Sequence, residues 1–234
     1  MEGFGPKIMF EIPIFGGIPI TETIINMWIV MALLVGFAIF ATKRLDKLPK
    51  GIQNYVEVIV DAMNKLTIQT MGEDKKSFAP YMGSLFLFLL LANLWGLIGL
   101  RPPTADLNTT LALAMMTFFM IHFFGAKSKG VLGYAKGFFE PFILMFPLNV
   151  MGELSTPISL GFRLFGNMVG GLIIMSLLYA GLGGVSAAIG LEFFPVLQAG
   201  IPFVFHMYFD LFAGVLQTFI FVMLTMVFVS IAMD

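Results

Sequence analysis

The chain has 234 residues, of which 59% are hydrophobic and only 12% charged, with a mean hydropathy of +0.95. Soluble domains carry about 25% charged residues, so this composition excludes a soluble globular protein and excludes disorder. A net charge of −1 excludes a basic nucleic-acid surface, and the absence of cysteine excludes disulfides, thiolate metal sites and cysteine nucleophiles.

Taken in chain order, residues 1–23 hold Glu2, Glu11 and Glu22 against a single Lys7. That is no basic leader, so the first apolar run is expected to be a retained span rather than a cleaved signal. A bilayer core requires about 20 apolar residues in helix. Three runs have that length: 24–42, 78–100 and 107–126. The first is closed by the charged stretch 43–50, the second by Arg101-Pro102-Pro103 and the third by Lys127, Lys129 and a Gly-rich loop. Between the first two, Ile52, Tyr55, Val56, Ile59, Val60, Met63 and Leu66 form the stripe of an amphipathic helix over 49–71. Pro49 suits its first turn and Gly72 its end. Asp61 and Lys65 can pair on its polar face. Such a helix is expected to lie flat at the membrane interface.

Two longer apolar tracts follow, 142–182 and 193–233, with Gly181, Gly183 and Gly184 between them. Each is about 40 residues, or about 60 Å of helix, against a hydrocarbon core of about 30 Å. Either both helices are strongly tilted, as a hairpin wrapping a curved membrane partner would be, or Pro147, Pro157, Pro195 and Pro202 break them. The fold class is therefore an all-α integral membrane protein, a single polytopic domain over 1–234. It has five membrane-embedded helices and one interfacial helix, and no internal repeat is evident.

Loop charge sets the orientation. Ten of the thirteen Lys and Arg residues fall in the segments 43–77 and 126–137, and only Lys7 and Arg101 on the opposite side. The N-terminus is expected outside and the C-terminus in the cytoplasm.

Arg163, the thirteenth, lies inside a span. With Glu153, His206 and Asp210 it interrupts the long tracts. A charge at the bilayer centre costs about 2.5–3.5 kcal/mol on insertion scales, so such residues face a partner or water. An arginine stays protonated and cannot relay protons, but it can stand as a fixed cation beside a moving carboxylate. Ser159, Arg163, Asn167, Gly170 and Gly171 share one helix face, and its small residues permit close helix approach. The alternative is a structural arginine paired with Asp210 or Glu153. On the last tract His206, Asp210, Gly214 and Gln217 form a second polar line. His206 is alternatively an interfacial histidine, and Gln217 an interhelical hydrogen bond. By depth, Asn167, His206 and Asp210 make an outer set and Glu153, Ser155, Thr156 and Ser159 an inner set, with Arg163 and Gln217 between. Two offset polar routes separated by a fixed cation describe an ion gate.

The stretch 155–171, STPISLGFRLFGNMVGG, resembles the signature of subunit a of F-type ATP synthases. The segments 103–110, PTADLNTT, and 216–221, LQTFIF, resemble two further segments of that family. The resemblance covers nearly the whole chain. It implies a stator subunit beside a rotating c-ring, joined to peripheral-stalk b subunits and indirectly to the soluble ATP synthase head. It also implies two half-channels passing H⁺ or Na⁺ in the cell inner membrane. Arg163 matches the essential arginine, Gln217 the glutamine facing it and Asn167 the asparagine one turn away. Some members carry a glutamate nine residues after the arginine and a histidine seven residues before the glutamine. Here those positions are Leu172 and Asp210, so Asp210 is expected to supply the outer acid by itself. No cofactor, metal or soluble catalytic site is expected. The rival readings are a self-contained secondary transporter, which would need a substrate cavity and usually an inverted repeat, and a purely structural membrane scaffold.

Overall fold

A computed structural model describes residues 5–13, 17–43, 46, 51–140, 142–188 and 196–234. Eight helices dominate it: α1 (Glu22–Thr42), α2 (Ile52–Met71), α3 (Ala79–Leu94), α4 (Leu107–Lys129), α5 (Val131–Gly137), α6 (Phe146–Ala188), α7 (Val196–His206) and α8 (Ala213–Met233). Five helical segments are long and apolar enough to cross a membrane: Glu22–Thr42, Glu73–Ile98, Leu107–Lys129, Ile143–Ala188 and Gly200–Met233.

The core lies where α3, α4, α6 and α8 meet. Leu89, Ala114, Leu164 and Met226 are wholly buried there. Between membrane helices, lipid is as apolar as leucine, so close packing and hydrogen bonds hold the bundle together. Glycines set the approach. A Cβ at Gly161 would lie 2.8 Å from Leu111 Cδ2, which brings α6 against α4. Inside the bundle Asn93 donates to the Gly214 carbonyl and to Thr218 Oγ1, and accepts from Thr104. This buried network ties α3, α8 and the loop before α4 together. On the same loop Thr23 donates to Asp106 at 2.8 Å, and Asp106 caps α4 through Asn108 N–H. Nothing in the apolar periodicity marks these threonines and Asn93 as internal.

Several expectations are corrected. Among the described residues the prolines do not break the long tracts. α6 runs unbroken for 43 residues with Pro157 inside it and Pro147 in its first turn, where no intrahelical N–H is lost. It also runs through Gly181, Gly183 and Gly184. The last tract departs from regular helix instead through a π turn, Met207–Phe212, between α7 and α8. Pro202 lies within α7, and Pro195 falls outside the described residues. A short helix, α5, stands where a Gly-rich loop was expected. Near the N-terminus Ile8–Ile12 and Ile18–Thr21 pair as a small antiparallel hairpin that sequence reading missed.

The amphipathic helix is present as α2. It begins at Ile52, and Pro49 lies outside the described residues. Gly72, at φ +100°, ends it as expected, and a Cβ there would press to 2.7 Å from Asp74 Oδ1. Among the described residues Asp61 and Lys65 form no ion pair, which fits the small net worth of exposed pairs. The C-terminal half of α2 packs on α3 and α8 through Met63, Thr67, Thr70 and Met71. Its N-terminal half leaves Tyr55, Val58 and Val60 exposed.

Candidate functional site

Helix α6 carries the signature residues on its outward side. Gly152, Ser155, Ser159, Arg163, Gly166 and Asn167 are all exposed, at three- and four-residue spacing apart from the last step. Cβ atoms added at Gly152, Gly166 or Gly170 would meet nothing within 4 Å. The opposite side, with Pro157, Leu160, Gly161, Leu164, Met168 and Gly171, is buried in the bundle. α6 therefore presents a ridge of small residues, interrupted by one cation, to whatever lies outside the chain.

Arg163 is exposed, and among the described residues it makes no hydrogen bond or ion pair. The structural alternative, a pair with Asp210 or Glu153, is not what the fold builds. Neither carboxylate is brought to it.

Asn167 and Gln217 do meet. Asn167 Nδ2 donates to Gln217 Oε1 at 2.6 Å, joining α6 to α8. Gln217 is 2% exposed, and among the described residues its Nε2 has no hydrogen-bond partner. The glutamine thus bonds Asn167 rather than Arg163.

At one end of the bundle His206 and Asp210 form a unit. His206 Nδ1 and Asp210 Oδ2 share a 2.5 Å hydrogen bond, and the Tyr179 hydroxyl bonds His206 Nε2 at 3.1 Å. Positions 206 and 210 are i,i+4 neighbours at the start of the π turn Met207–Phe212. π turns inserted in helices are frequent at functional sites. Gly96 makes room for the acid, since a Cβ there would sit 3.4 Å from Asp210 Oδ1. Asp210 thus does not stand alone in the fold: it is hydrogen-bonded to His206. Both line an open cleft of about 450 Å³ with Ser176, Leu172, Glu22 and Arg101. Tyr179 was missed because an exposed tyrosine carries no helical-period signal.

At the other end Glu153, half-buried, lines two adjoining clefts of about 460 and 400 Å³. Thr156 lines the second. Ser159, the remaining member of the inner set, is exposed one turn further along the same face. His122, absent from the sequence reading, shares a 2.7 Å hydrogen bond with Tyr134 on α5. Burial raises the Tyr134 pKa above the usual phenol value, and the Glu153 carboxylate adds to the rise.

Two clefts at opposite ends, each holding carboxylates, flank a span that carries an unpaired arginine. The class so defined is a polytopic helical membrane protein with ionisable groups set within and beside its spans. The chain belongs to the ATP synthase A chain family, whose sequence model matches residues 24–230. It is 38% identical over 97% of its length to "ATP synthase subunit a, sodium ion specific" of Propionigenium modestum, covering 84% of that protein. It is 34% identical to "ATP synthase subunit a" of Moorella thermoacetica over 94% of both chains, and 37% identical to that of Geobacter sp. over 89% of this chain and 86% of the relative. Members of this family are the non-catalytic, ion-translocating membrane subunit of ATP synthase, and ATP chemistry takes place in the separate soluble head. The chain is thus a multi-pass membrane protein of ATP synthesis and ion transport, with partners in the membrane sector.

Proposed function

We propose that this chain, working as one polytopic unit, is the stator of a rotary motor. It gives the carboxylates of a c-subunit ring access to two offset half-channels, and Arg163 separates them. The observation that carries this reading is the placement of Arg163: exposed, unpaired within the described residues, and set in a ridge of small residues on a membrane-spanning helix. A cation so placed is intolerable against lipid and requires an external partner. A passing carboxylate supplies one.

The attraction between unit charges at 4 Å is about 4 kcal/mol at an effective dielectric of 20. That is enough to displace a bound ion from the carboxylate and weak enough to let the carboxylate leave. The His206–Asp210 cleft serves the outer route and the Glu153 cleft the cytoplasmic one. Ser159 borders the inner side of Arg163. Asn167 and Gln217 brace the helices beside the arginine, so no continuous path bypasses it.

At 43 residues α6 is about 65 Å long, twice the hydrocarbon thickness of about 30 Å. Embedding it requires a strong tilt, which lays the ridge across several ring helices instead of one. The Lys and Arg bias places the N-terminus outside and the α2 and α5 segments in the cytoplasm of a cell inner membrane. The exposed apolar half of α2 then rests at the interface, and b subunits would dock against the lipid-facing helices. The ion passed is H⁺ or Na⁺, and the ring's own ligands choose between them.

Cross-linking tests the ridge. The chain has no cysteine, so single thiols report cleanly. Ser159→Cys and Gly166→Cys should cross-link to thiols placed on the outer face of the c-subunit in the assembled complex, whereas Leu33→Cys on α1 should not. Cross-linking from α1 but not from α6 would overturn the reading.

A further inference from the structure

The two clefts around Glu153 adjoin and share four lining residues. The wider cleft is lined by Gly137, Phe138, Glu140 and Asn149 and opens beneath α5. The deeper one reaches between α4, α6 and α8 to Ile121, Thr156 and Phe228. Both are lined by Lys129, Tyr134, Gly152 and Glu153. Of these four only Tyr134 comes from α5, and only Tyr134 presents a rigid ring at the boundary.

Its position is tightly set. The hydroxyl bonds His122 Nδ1 at 2.7 Å. The ring lies over Gly125, where a Cβ would come within 2.6 Å of Tyr134 Cε2. Phe138 meets it edge-on at 5.4 Å between centroids, and Phe118 packs edge-on against His122 at 4.1 Å. A tyrosine held by edge-on aromatic contacts, a glycine seat and a histidine tether is fixed to a degree that a lone loop tyrosine would not need.

We propose that Tyr134 is the partition of the cytoplasmic route. It divides an outer vestibule from the inner cleft that leads past Thr156 toward Arg163, and His122 is the positioning residue that holds it there. This rests on the two-route reading above. Ions moving between vestibule and inner cleft pass the edge of the ring, beside Glu153 and Lys129. α5 thereby becomes a wall of the channel and not a mere connection between α4 and α6.

The test uses a reporter thiol, Thr156→Cys, in the assembled complex in inverted vesicles, with silver ion added from the cytoplasmic side. Tyr134→Ala should speed modification of this thiol several-fold. Tyr134→Phe, which keeps the ring and removes the tether, should give a smaller rise. His122→Ala should match Tyr134→Phe, and His122→Gln, which retains an acceptor for the hydroxyl, should restore the parent rate. A second reporter, Ser176→Cys in the opposite cleft, should be unaffected by all of them. Should Thr156→Cys react equally fast in every background, the partition is overturned while the route stands. Should it fail to react from the cytoplasm in any background, the cytoplasmic route itself is wrong and the partition falls with it. A rise at both reporters would mean general loosening of the bundle, and would also overturn the partition.

Discussion

Asn167 and Gln217 join α6 to α8 beside Arg163 through a 2.6 Å hydrogen bond that leaves the Gln217 Nε2 buried and unpartnered. The bond fixes the spacing of the two helices at the level of the arginine. Interhelical hydrogen bonds in membranes contribute about 0.6 kcal/mol on average and up to about 1.7. Asn167→Ala should therefore lower thermal stability only slightly. It should slow ATP-driven ion pumping, because Gln217 would lose its orientation. Equal pumping rates in Asn167→Ala and parent complexes, read by a fluorescent gradient dye, would show the bond to be structural alone.

The His206–Asp210 unit bears on the proposed outer route. A hydrated path still conducts when one wall group is neutralised, so Asp210→Asn should slow transport without abolishing it. A buried partner of Arg163 would behave differently, since loss of one member of a buried pair costs about 3–5 kcal/mol and would impair assembly. Silver accessibility checks the sidedness. Asp210→Cys should react from outside and Glu153→Cys from the cytoplasm, and reversal of the two would end the two-route assignment.

Glycines on the two sides of α6 should separate folding from coupling. Gly161 is packed on Leu111, so Gly161→Val should overpack the bundle, at a cost of about 1–3 kcal/mol, and reduce the amount of folded chain. Gly170 faces open space. Gly170→Val should leave the amount of folded chain unchanged and reduce pumping by crowding the ring. The comparison is membrane content against pumping rate for each variant, and parallel losses in both would contradict it.

Much of the fold was legible because the bilayer imposes a simple length rule, and five apolar runs of spanning length stand out against charged loops. The α2 stripe and its Gly72 stop were equally plain. The β-hairpin was not, because its short strands lie among prolines and glycines with little alternation. The π turn was not, because a single extra residue in a helical turn leaves no compositional mark. Of the candidate residues, Arg163 declared itself by being a charge in an apolar tract. The Asn167–Gln217 contact and the Tyr179–His206–Asp210 chain depend on how α6 meets α7 and α8, which spacing along one helix cannot give. His122 and Tyr134 escaped for the same reason: their meeting requires α5 to fold back on α4.

The orientation has its own check. Ser77 lies between Lys76 and Phe78 at the charged end of α3. A thiol there should be labelled by an impermeant reagent only when the cytoplasmic face is exposed. Labelling in intact cells would invert the topology and exchange the two routes.

The central claim is that Arg163 is the fixed cation between two half-channels. It is tested most directly by ATP-driven ion pumping in inverted vesicles carrying assembled Arg163→Ala complex, with assembly confirmed by co-purification of the soluble head. The complex should be present in normal amount and build no gradient. Arg163→Lys should be severely impaired as well, because a compact ammonium lacks the planar fork of the guanidinium. A normal gradient built by the Arg163→Ala complex would rule out Arg163 as the fixed cation between the half-channels.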